Sequence, residues 1–117
     1  MRISASQIVV FSQVADNDFV ARVIAFLRGR FADAREAPRS ELDAGVRMQA
    51  AKAGTYGLTT ERQVASYVTT AWVLGPDFDT QMPYLRGVLR TRTIGPDRKA
   101  KLLADHTEQI IATLEGA

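Results

Sequence analysis

One stretch, "YGLTTERQVASYVTTAWVLGPDFD" at residues 56–79, constrains the fold more than any other. It holds a complete amphipathic helix together with its start and stop signals. Gly57 is a natural left-handed terminator for the helix before it. Thr60 and Gln63 have capping-box spacing, a hydroxyl residue followed three positions later by glutamine. Val64, Tyr67, Val68, Ala71 and Trp72 then recur at the three- and four-residue steps of one helical face. Gly75-Pro76 closes the helix, because glycine accepts a left-handed turn and proline cannot continue the ladder.

The same punctuation recurs along the chain. In residues 4–31, Ser4 and Ser6 are candidate N-caps. Ile8, Val9, Val10, Phe11 and Val14 point around most of a helix, with a short "IVV" strand as the alternative. Phe19, Val20, Val23, Ile24, Leu27 and Phe31 make a broad apolar face. "ADND" breaks or bends this segment, with Asp16 or Asn17 capping its second half. Residues 32–40 read as a polar connection. Ser40 is expected to cap a helix to about Tyr56, with Leu42, Gly45, Val46, Gln49, Ala53 and Tyr56 inward. Its small residues Gly45, Ala50 and Ala53 would let a neighbouring helix approach closely. Pro83 opens a shorter helix to about Arg92, with Met82, Leu85, Val88 and Leu89 inward. Pro96 opens the last, with a stripe of Leu102, Leu103, His106, Ile110 and Leu114. The fold class expected is all-α: one helical domain over residues 1–117, a compact bundle of five or six helices.

Composition narrows the function classes. A chain of 117 residues that is 46% hydrophobic and 24% charged has globular values. The absence of cysteine removes disulfides, thiolate metal sites and cysteine nucleophiles, and fits a reducing cytoplasm. The apolar run "IVVF" is too short for a signal peptide, and no apolar segment is long enough to span a membrane. A cytoplasmic location is therefore expected. The net charge of +2 is a weak field.

Candidate chemistry is sparse. The acids of "GPDFDTQ" resemble the start of a calcium loop, but Met82 and Val88 stand where that loop needs glycine and glutamate. A turn fits better, with Asp77 and Asp79 bonding local backbone N–H groups and Phe78 packed inward. His106 is the only histidine. It lies on an apolar stripe with no second histidine to share a metal, so a structural role is favoured over catalysis with a nearby acid. No residue is assigned as catalytic, cofactor-binding or metal-binding, and no cofactor is expected.

Two surfaces are candidates for partners. Arg86, Arg90, Arg92, Arg98, Lys99 and Lys101 are opposed by Asp97 alone within "RGVLRTRTIGPDRKAK". They form a candidate basic patch for phosphates or an acidic protein. Nucleic acid is disfavoured, because the overall field is weak and no aromatic residues interleave with the later cations. The second candidate is apolar and combines Ile8, Val9, Val10 and Phe11 with Trp72 and Val73. The regular stripe favours burial of Trp72 in the core. Its end of the helix, like "QIVVF", is nevertheless apolar on more than one side and calls for cover by a partner or a second subunit.

A resemblance adds a function class. Asp18, Phe19, Val20, Arg22, Leu27, Arg28 and Phe31 match one part of a pattern. Tyr56, Gly57, Leu58, Thr59, Glu61, Val64, Tyr67, Val68, Leu74, Gly75, Asp77, Phe78 and Asp79 match the rest. Over about half its length the chain thus resembles small helical accessory proteins found near type VI secretion or polymorphic-toxin effectors of Gram-negative bacteria. The resemblance implies a non-enzymatic, protein-binding helper, an effector adaptor or co-chaperone, with an immunity protein as a further alternative. It implies no catalytic motif. The chain departs from the pattern at Gln63, where an acid is expected, and in "DFDTQMPYL", where Pro83-Tyr84 stands in place of a proline-tryptophan pair.

Overall fold

The computed structural model describes residues 16–116. Those residues form seven helices and no strand: α1 Asn17–Arg30, α2 Ala32–Glu36, α3 Arg39–Thr55, α4 Glu61–Leu74, α5 Phe78–Gln81, α6 Pro83–Arg90 and α7 Pro96–Leu114. The all-α bundle is as expected. The two extra elements are the short helices α2 and α5, which the sequence suggested as a connection and a turn. Ile8, Val9, Val10 and Phe11 lie outside the described residues.

Helix α4 is the hub and packs on α7, α3, α1 and α5. Its predicted stripe holds: Val64, Tyr67, Val68 and Ala71 are buried. The capping box is present, with Gln63 N donating to Thr60 Oγ1 at 3.2 Å and Gln63 Oε1 accepting from Thr60 N at 3.1 Å. The Gln63 amide also donates to Asp97 at 2.6 Å. It thereby ties the start of α4 to the first turn of α7.

The end of α3 is a Schellman motif. Leu58 N donates to Ala53 O and Gly57 N to Gly54 O, with Gly57 at φ +84°. Leu58 is then fully buried against the core. The start of α3 differs from expectation. The Pro38 carbonyl already accepts from Glu41 N and Leu42 N, so the helix begins at Arg39 and Ser40 lies inside its first turn.

Helix α7 presents a different face from the one its leucines suggested. Ala100, Leu103, Thr107 and Ile111 are buried, whereas Leu102, His106 and Ile110 are half-buried and Leu114 is exposed. Hydroxyl pairing is the reason. Thr107 Oγ1 meets Thr70 Oγ1 of α4 at 2.9 Å and Leu103 O at 2.7 Å, so a threonine sits in the interface without an orphaned polar atom.

Candidate functional site: a groove beside Trp72

The short helix α2 is stitched onto α1 by arginines. Arg28 donates to Ala34 O at 3.3 Å and to Ala37 O at 3.0 Å, while Arg35 donates to Arg28 O at 2.7 Å. With Ala34 fully buried, this fixes α2 beside the end of α4. Asp33 then accepts the indole N–H of Trp72 at 3.1 Å.

Trp72 is consequently half-buried rather than enclosed in the core. It forms one wall of a groove of about 420 Å³ between α3 and the C-terminal half of α4. Leu27, Leu42, Val46 and Val68 lie along its base, and Met48, 59% exposed, stands on its edge. Gly45 lines it too. Among the described residues no neighbouring helix packs on this glycine: a Cβ added there would meet nothing within 4 Å. The small residue keeps the groove open instead of drawing two helices together. Val73 does not line the groove, because successive residues of a helix point about 100° apart.

The far end of the groove, at Gly75-Pro76, rests on a buried polar cluster. Gln49 Nε2 and Lys52 Nζ both donate to Pro76 O, at 3.1 and 2.6 Å. Asp79, 5% exposed, accepts from Tyr56 OH at 2.7 Å. Lys52 Nζ lies 3.0 Å from the other Asp79 oxygen, close enough to pair charge but without hydrogen-bond alignment. Burial pushes the Asp79 carboxyl up, yet the Tyr56 hydroxyl and the Lys52 ammonium outweigh it and hold the group below its ordinary value. Burial, with the hydrogen bond to Asp79, pushes the Tyr56 phenol up to about 12. Phe78 is buried as expected, but Asp79 serves tertiary structure rather than a local turn. Tyr67, its ring centre 4.9 Å from that of Phe78 and tilted 53° to it, keeps its buried hydroxyl without a hydrogen-bond partner among the described residues.

The basic segment divides. Lys99 is 8% exposed, and its ammonium donates to Leu89 O at 2.6 Å and to Tyr56 O at 3.5 Å. It caps the C-terminal ends of α6 and α3, where carbonyls lack helical partners, and so leaves the surface patch. Lys101 pairs with Asp105 at 3.0 Å. Arg86, Arg90, Arg92 and Arg98 are exposed, and none makes an ion pair among the described residues. His106 is half-buried with its ring 5.3 Å from that of Tyr84.

A second groove of about 460 Å³ lies between α1, α4 and α7, with Phe26 on its edge, 49% exposed. Its glutamates are already matched. Arg22 holds Glu61, and Arg30 holds Glu108, each through two hydrogen bonds of 2.8–2.9 Å. Sequence reasoning had no signal for either groove, since their walls come from residues far apart in the chain.

Among the described residues no three His, Asp or Glu side chains gather as a metal-binding group, and no helix is long and apolar enough to cross a membrane. No family model matches the chain, and neither a curated protein nor a solved structure matches it.

Proposed function

We propose that this chain is a non-enzymatic protein-binding accessory module that takes a partner segment in the Trp72 groove. The observation carrying this reading is a half-exposed tryptophan held by Asp33 beside the exposed Met48, over an apolar base kept open by Gly45. Tryptophan is enriched among residues that dominate binding energy, and methionine adapts to varied apolar surfaces. The resemblance to accessory proteins of type VI secretion supports an effector adaptor or co-chaperone as the biological setting, in the cytoplasm.

Co-purification from the native cell with wild-type protein and a Gly45→Leu variant tests the proposal. Leucine enters open space on a helix, so the variant keeps its fold while filling the groove. The expected result is one partner retained by wild type and lost by Gly45→Leu. A partner bound equally by both overturns the groove assignment.

The four exposed arginines without an ion pair among the described residues favour a second reading, a nucleic-acid-binding module at the α6–α7 corner. It requires a mobility shift at low salt that weakens about tenfold or more at moderate salt. Absence of a shift at low salt eliminates it.

A further inference from the structure

The polar atoms that line the Trp72 groove are one-sided. Asp33 uses Oδ1 to hold the Trp72 indole, and its Oδ2 has no hydrogen-bond partner among the described residues. Glu41 is exposed and makes no ion pair among the described residues. Gln49 is 6% exposed and donates Nε2 to Pro76 O, which fixes the orientation of its amide. Its Oε1 is therefore a buried acceptor without a partner among the described residues. Among the described residues no lysine or arginine lines the groove; the Lys52 ammonium lies at its far end, where it is held by Pro76 O.

The rest of the molecule is arranged the other way. In the α1–α4–α7 groove each glutamate already holds an arginine in a two-bond pair. The α6–α7 corner presents arginines with no ion pair among the described residues, and the chain as a whole carries a net charge of +2. A cationic ligand therefore gains nothing from the general field and is favoured only where acceptors stand open. A buried acceptor is also costly until a donor reaches it.

Resting on the protein-binding reading above, we infer that the occupant is a basic amphipathic protein segment. Its apolar side chains lie on Trp72, Met48 and Val46. Its lysine or arginine side chains donate to Asp33 and Glu41, and one further donor satisfies Gln49 Oε1. An acidic segment of equal hydrophobicity is rejected, because it would bring like charge to the two carboxylates.

The test uses the full chain and a displayed library of random peptides, each several helical turns long. Selection on wild type is followed by counter-selection on Gly45→Leu, so that only groove binders survive. The expected survivors are rich in Lys and Arg, poor in Asp and Glu, and change the fluorescence of Trp72, the only tryptophan. Replacing their cations by glutamate weakens binding by at least about tenfold. The combined Asp33→Asn and Glu41→Gln variant, which keeps an oxygen acceptor for the indole, narrows that ratio to about twofold or less. Survivors that are neutral or acidic, or a ratio unchanged in the double variant, overturn the charge assignment and leave the groove itself standing. If no peptide discriminates wild type from Gly45→Leu, the groove reading fails with it.

Discussion

Asp79 shows what a single residue can hide from sequence reasoning. Its neighbours suggest a turn acid, but its partners, Tyr56 and Lys52, arrive from α3. Nothing in the spacing of "GPDFD" encodes a contact 23 positions away. Loss of a charged hydrogen-bond partner costs about 2 kcal/mol, so Asp79→Asn should lower the unfolding free energy by that amount near neutral pH. The folded carboxyl titrates below its unfolded value of about 3.9. Its stabilising effect is therefore present above that value and is lost as pH falls through the lower folded value. Urea unfolding across acid pH should show the gap between wild type and Asp79→Asn closing. Tyr56 acts on the alkaline side. Its effect is present below about 10 and is lost as pH rises through about 12. Tyr67 offers the opposite case, since its hydroxyl is buried without a hydrogen-bond partner among the described residues. Tyr67→Phe should leave stability unchanged or raise it, by up to about 1 kcal/mol, in the same measurement.

At the scale of elements, the signals that held were local ones. The Thr60–Gln63 box, the Gly57 and Gly75 stops and the prolines opening α6 and α7 stand where the sequence suggested. Each acts within a few residues of itself, so a linear pattern records it. Thr60→Ala should cost about 1 kcal/mol in chemical unfolding, because an N-terminal donor of α4 loses its acceptor. The face of α7 was misread because Thr107 counts as polar in a periodicity and yet pairs across the interface with Thr70. Helix α2 was missed because arginine-to-carbonyl bonds from α1 stabilise a segment with no cap of its own. By sequence Gly45 reads as a close-packing residue, although its helix leaves that position facing open space among the described residues. Gly45→Ala should therefore stabilise the protein by roughly 0.5–1 kcal/mol. A destabilised variant would mean that another element approaches that face.

Across the whole molecule, charge is sorted by partner. Arg22, Arg28, Arg30 and Arg47 find carboxylates or carbonyls, whereas the arginines of the α6–α7 corner make no ion pair among the described residues. Lys99 looked like part of that corner because it is adjacent in sequence, but burial makes it a cap for two helices. The fold class was legible from punctuation and stripes. The grooves were not, because each is assembled from three or four helices and depends on what fails to touch. The proposed function depends most on the Trp72 groove as the binding surface. The direct measurement is amide chemical-shift mapping on wild-type protein titrated with the tightest peptide from the selection. The predicted shifts cluster at residues 42–49 and 68–76, with the Trp72 indole signal among the largest. Shifts centred on residues 86–98, with the Trp72 indole unmoved, would contradict the account.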